Sequence, residues 1–249
     1  MRHLLLLTIL ILLNACSYLP EDITSPSENY LYKETRDYIL LEPGGESSKD
    51  GILFIPGGLV DPHAYIPVFE PFVQEHSMKV LLLKVRSNLA IFNIPQAKRV
   101  RKDFENDKWL IGGHSLGAVV ASFAIADGHL DEYEGLFLMG SYASNDISGY
   151  DQPVFSILAE NDEVTNMASV EENAINLPEG INAAFTDLPD LGDTHGKTVY
   201  YTIKGGNHAQ FGSYGIQKGD GQAEISSRDQ QREFFKVLSI LMRNNDFDI

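Results

Sequence analysis

Trp109-Leu-Ile-Gly-Gly-His-Ser-Leu-Gly117 runs straight into Ala118-Val-Val-Ala-Ser-Phe-Ala-Ile-Ala126. The first three residues are apolar and strand-like, the last nine are apolar over a helical length, and a glycine-framed serine lies between them. Gly113-His-Ser-Leu-Gly117 therefore reads as G-x-S-x-G at a sharp strand-to-helix turn, where small neighbours relieve crowding and the serine hydroxyl is pushed out of the sheet. The helix N-terminus behind it favours a developing negative charge. Ser115 is the candidate nucleophile, and the Leu116 amide is a candidate oxyanion donor. His114 is expected to point elsewhere by strand alternation and to serve packing.

Working outward, short apolar runs recur at residues 38–41, 51–55, 79–83, 135–139, 153–158 and 198–203. Continuous apolar runs of this length suit strands buried on both faces, as in parallel sheets. Helical patterns fall between them at 64–75, 95–104, 118–126 and 168–177, and an amphipathic helix over 227–242 closes the chain. Alternation of this kind predicts an α/β fold with a mostly parallel sheet flanked by helices. No interval before the candidate acid loop at 159–163 is long enough for a large cap domain. Residues 178–197 exceed what a connector needs, so a lid or rim loop is expected there.

A serine hydroxyl needs a base to take its proton and an acid to orient that base. His129, His195 and His208 are the downstream histidines. His129 follows the nucleophile helix, and His195 sits in a polar loop. His208 directly follows the last strand in Gly205-Gly-Asn-His208, where its imidazole can turn over the sheet edge, so it is the expected base. Past the strand at 153–158, Ala159-Glu-Asn-Asp-Glu163 offers Glu160, Asp162 and Glu163, and Asp162 has the best distance from the strand end. A second oxyanion donor is expected in the loop after Ile55, with Gly58 favoured and Leu59 the alternative.

The composition narrows the partners. Nineteen basic and thirty-five acidic residues give a net charge of −16, which argues against nucleic acid and against docking on anionic lipid through a basic patch. The single cysteine excludes a disulfide framework and a thiolate metal site. No metal or organic cofactor is implied. Arg2 and His3 precede an apolar run at residues 4–13, too short to span a bilayer but suited to a signal peptide. It ends in Leu13-Asn14-Ala15-Cys16, which resembles the lipobox of bacterial lipoproteins, with Asn14 as a departure. That resemblance implies cleavage after residue 15, acylation of Cys16 and a place in the cell envelope. Ser17 in place of an aspartate points to the outer membrane where a cell has two. Residues 16–29 then read as a lipidated tether and 30–249 as the domain.

Pro56-Gly-Gly-Leu-Val-Asp-Pro-His-Ala-Tyr65 and Gly205-Gly-Asn-His-Ala-Gln-Phe-Gly-Ser-Tyr-Gly215, with Gly219-Asp-Gly221 beyond them, complete a layout that resembles the serine α/β-hydrolase superfamily. Within it, the chain looks like a small single-domain subgroup. The resemblance implies the α/β-hydrolase fold and acyl-enzyme chemistry by Ser115, Asp162 and His208, with Gly58 and Leu116 holding the oxyanion. A carboxylic ester or lipid-derived acyl group is the expected substrate. A peptidase or amidase on the same residues, or a lipid-anchored binding protein on this scaffold, are the alternatives. Oligomeric state is left open by the sequence.

Overall fold

The computed structural model describes residues 17–21, 29–85, 96–104, 108–126 and 133–249. The signal peptide, Cys16, Pro95 and His129 lie outside the described residues.

Nine strands form one sheet in the order β1-β2-β4-β3-β5-β6-β7-β9-β8. They are β1 (Tyr30–Glu34), β2 (Tyr38–Pro43), β3 (Asp50–Ile55), β4 (Lys79–Leu83), β5 (Lys108–His114), β6 (Gly135–Met139), β7 (Val154–Ala159), β8 (Gly180–Asn182) and β9 (Thr198–Ile203). Only the β1–β2 and β2–β4 pairs are antiparallel; every pair from β4 to β8 is parallel. Strands β3, β6 and β7 are buried along their whole length, as continuous apolar runs in a two-sided sheet require.

Helix α1 (Ile66–His76) packs on one face with the last helix, α5 (Ser227–Asn244). Phe54, Phe69, Phe72, Phe137 and Phe234 interlock there in edge and tilted contacts. Helices α2 (Gln96–Arg101) and α3 (Leu116–Ala126) contribute Ala97, Val100, Ala121 and Ile125 to the core of the other face. Helix α4 (Met167–Asn173) follows β7. Asn166 and Ser226 cap α4 and α5 through their side-chain oxygens, which satisfies amides that the helices leave open.

One expectation needs correction. Residues 178–197 do not form a lid. Gly180–Asn182 adds a parallel edge strand to β9, and the chain must then travel back to the start of that strand. It does so beside the far end of α5: Asn244 donates to the Leu188 carbonyl at 2.7 Å, and the Thr194 amide donates to Asn245 at 2.8 Å. The extra length is spent on a crossover at the opposite end of the sheet. Residues 17–21, within the segment read as a tether, run against the domain. Tyr18 makes a parallel bridge with Val60, so its backbone groups find partners on the protein.

Candidate active site

Strand β5 gives way to helix α3 within one residue. Ser115, at that turn, has φ of +52°, a left-handed backbone that a residue with a β-carbon keeps only when its surroundings hold it. Two glycines make the turn possible. A β-carbon on Gly113 would lie 2.3 Å from the Gly117 carbonyl carbon, and one on Gly117 would lie 2.1 Å from the Ile55 carbonyl oxygen. The first turn of α3 thus rests directly on the end of β3. The Ser115 amide donates to the Met139 carbonyl at 3.0 Å, and its own carbonyl accepts the Ser141 hydroxyl at 2.9 Å. The residue is partly exposed.

The loop after β3 comes up against this turn. A β-carbon on Gly58 would be 3.2 Å from Leu116 Cδ2. Neither the Gly58 nor the Leu116 amide has an acceptor among the described residues. Backbone donors left open on the two segments that meet at Ser115 are the kind of group a developing oxyanion can use. The loop is braced from below, where the Gly57 amide donates to the Tyr65 hydroxyl at 3.1 Å. Leu59, the alternative donor, has φ of +63°.

On the other side, β7 and β9 deliver a carboxylate and an imidazole. His208 Nδ1 lies 2.8 Å from Asp162 Oδ2, with side chains 1% and 3% exposed. Asp162 Oδ1 accepts the amides of Val164 at 2.9 Å and Thr165 at 2.7 Å, so the carboxylate is fixed at both oxygens. Thr165 donates its hydroxyl to the Gly140 carbonyl at 2.6 Å and lies 3.4 Å from His208 Nδ1. Glu160 instead accepts the Gly205 amide at 2.9 Å, and Glu163 is exposed. His195 pairs with Asp193 on the surface, next to the far end of α5.

The histidine loop owes its shape to Asp220. Its carboxylate accepts the amides of His208 at 3.2 Å, Ala209 at 2.8 Å and Gly221 at 2.8 Å. Gln230 of α5 brackets Asn207, accepting its amide and donating to its carbonyl. His208 Nε2 is buried and has no partner among the described residues, so no hydrogen bond joins it to the Ser115 hydroxyl in this structure. Such bonds are often long before substrate arrives.

His114 is not a remote packing residue. Its ring lies against that of His208, 4.3 Å between centroids, and it is fully buried. The histidine loop folds over the face toward which His114 points, so a side chain facing away from the serine still meets the imidazole. Burial pushes the His114 pKa well below its ordinary value, and the neighbouring His208 charge acts in the same direction. Tyr65, His114, Ser141, Thr165 and Asp220 all brace the site, a role the sequence pattern did not assign to them. Tyr65, His114 and Asp220 lie in the stretches Pro56–Tyr65, Gly113–Gly117 and Gly219–Gly221 that the sequence marked, whereas Ser141 and Thr165 carried no sequence signal.

No group of three or more His, Cys, Asp or Glu side chains able to hold a metal occurs among the described residues. None of their helices is long and apolar enough to cross a membrane.

The profile of the alpha/beta hydrolase family matches residues 51–188 and 191–232. No curated protein matches the sequence. Among solved structures, TT1662 from Thermus thermophilus superposes with a TM-score of 0.59 at 13% identity, covering 87% of this chain and 98% of its own. The esterase Rv0045c from Mycobacterium tuberculosis gives 0.55 at 11% identity, over 87% and 93%. A dienelactone hydrolase from Anabaena variabilis gives 0.53 at 13% identity, over 85% and 98%. At these identities the likeness is one of fold.

Proposed function

Given that the chain belongs to the alpha/beta hydrolase family, we propose that it is a serine hydrolase that cleaves a carboxylic ester or a lipid-derived acyl group by way of an acyl-enzyme. The observation that carries this reading is the buried contact of His208 Nδ1 with Asp162 at 2.8 Å, which leaves Nε2 without a protein partner among the described residues. In that tautomer Nδ1 carries its proton toward the carboxylate, and Nε2 is a lone pair ready to accept one.

Ser115 Oγ attacks the substrate carbonyl as Nε2 takes its proton, and the carbonyl oxygen becomes an oxyanion between the Gly58 and Leu116 amides. His208 returns the proton to the departing alkoxide, leaving the acyl group on Ser115. Water then repeats the attack, with the same imidazole as base, and releases the acid. Asp162 stabilises the imidazolium in both steps. The esterase and the dienelactone hydrolase among the structural neighbours are in keeping with such chemistry.

The lipobox-like Leu13-Asn14-Ala15-Cys16 supports anchoring of the mature chain in a bacterial envelope through acylated Cys16. Two or three acyl chains give stable attachment where one does not.

Hydrolysis of a series of nitrophenyl esters of increasing acyl length tests the activity. The wild type is expected to turn over at least part of the series, with Ser115→Ala slower by several powers of ten. Equal rates in the two proteins, or no turnover of any ester, would count against the proposal.

A further inference from the structure

The five residues that follow the acylation site are tied to the two loops that build the active site. The Tyr18 amide donates to the Leu59 carbonyl at 2.7 Å, and its carbonyl accepts the Asp61 amide at 2.9 Å. Leu59 directly follows Gly58, the proposed oxyanion donor. The Glu21 amide then donates to the Ser213 carbonyl at 2.9 Å, five residues past His208. The Tyr18 ring packs on that of Tyr214, with 5.4 Å between centroids.

Cys16 is two residues before Tyr18 in the sequence. The described chain therefore begins, just after the lipidation position, with a segment docked at the active-site end of the domain. Among the aliphatic side chains exposed at the same end, Leu19 is 65% and Ile216 95% exposed. Ile216 is next to Gly215, whose α-carbon faces the Glu21 carboxylate. Leu19 and Ile216 thus flank one strip of surface, made of the docked segment and the tip of the histidine loop.

We infer that residues 17–21 act as a strap that holds the active-site end of the domain against an uncharged bilayer surface, with Leu19 and Ile216 entering the lipid and the ester reaching Ser115 from the membrane phase. This rests on the anchoring and the acyl-transfer reading proposed above. The net charge of −16 opposes electrostatic attraction to anionic lipid, so apolar insertion and the acyl chains carry the contact. Its strength should accordingly vary little with salt.

The lipidated full chain on phosphatidylcholine vesicles carrying a brominated lipid quencher provides the test. Because Cys16 is blocked by its lipid, Ile216→Cys and Asp151→Cys each supply one reactive thiol for a fluorophore. Asp151 is exposed just before β7, at the other end of the sheet and about 20 Å away. Quenching is expected to be several-fold stronger at position 216 than at 151, at low and high salt alike. A twelve-residue Gly/Ser insertion between Ser17 and Tyr18 should remove most of that difference, while co-sedimentation with vesicles and hydrolysis of a short soluble ester persist. Co-sedimentation with equal quenching at the two positions would overturn the inference and leave anchoring intact. Undiminished quenching at 216 in the insertion variant would overturn the role of the strap. Failure to co-sediment would remove the anchoring reading and this inference with it, and an inactive but correctly oriented protein would instead remove the acyl-transfer reading.

Discussion

The Tyr65 hydroxyl sits 2.9 Å from His114 Nδ1 while accepting the Gly57 amide at 3.1 Å. With the hydroxyl taking the Gly57 proton, its own proton is directed to a His114 that burial keeps neutral. One buried oxygen thereby joins the loop that carries Gly58 to the ring that lies on His208. Tyr65→Phe keeps the aromatic packing and removes this junction. Two buried polar groups lose their partner, so a loss of about 1–3 kcal/mol is expected. kcat should fall about tenfold, short of the ~10²–10³ that loss of an oxyanion donor itself costs. Urea unfolding and ester kinetics measure the two effects.

Asp162 and Glu160 separate cleanly by role. Asp162→Asn offers the wrong partner to His208 Nδ1–H, and kcat is expected to drop by about 10³–10⁴. Glu160→Ala loses only the bond to the Gly205 amide, about 1 kcal/mol of stability, with kcat within a few-fold of wild type. Comparable losses of kcat in both variants would contradict the assignment.

Asp220 holds His208 by its backbone amide and not by its ring. Asp220→Ala strands three loop amides and is expected to lower the melting temperature, at about 1.5–3 kcal/mol for the lost charge-assisted bonds. Because His208 is then poorly placed, kcat should fall more than KM rises. Asp220→Asn, which can still accept, should recover part of both.

Stability should decline on the acid side of neutrality. The folded His114 pKa lies well below the ordinary value of 6.5, and burial lowers that of His76 too. Below pH 6.5 the unfolded chain binds protons that the folded one refuses, so each such histidine costs up to about 1.4 kcal/mol per pH unit. This contribution is fully present above pH 6.5 and is lost as pH falls. His63, whose pKa Asp61 raises, acts with the opposite sign and offsets part of it. Urea midpoints between pH 7.5 and 5 are expected to fall, and His114→Gln should flatten the slope even if it lowers stability throughout.

Much of the fold could be read from Phe54, Leu81, Phe137 and their neighbours, because parallel strands buried on both faces must be apolar without interruption. The edge strands could not. Tyr30–Glu34 has one paired neighbour and mixed exposure, and Gly180–Asn182 is three residues long, so neither writes a period into the sequence. The length of 178–197 was visible, but length does not say at which end of a sheet a segment lies. In the site, glycine spacing marked the turn at Ser115, and position after a strand narrowed the acid to three carboxylates. Ser141 and Thr165 act through backbone groups brought close only by the fold, and such partnerships leave no local pattern.

The central claim is that Ser115 is an activated nucleophile. Treating the folded protein with a fluorophosphonate and mapping the adduct by peptide mass tests it most directly. The expected result is a single stoichiometric adduct on the peptide containing Ser115, absent in Ser115→Ala and much slower to form in Asp162→Asn. A folded wild type that takes no adduct, or takes it on another residue, would contradict the account.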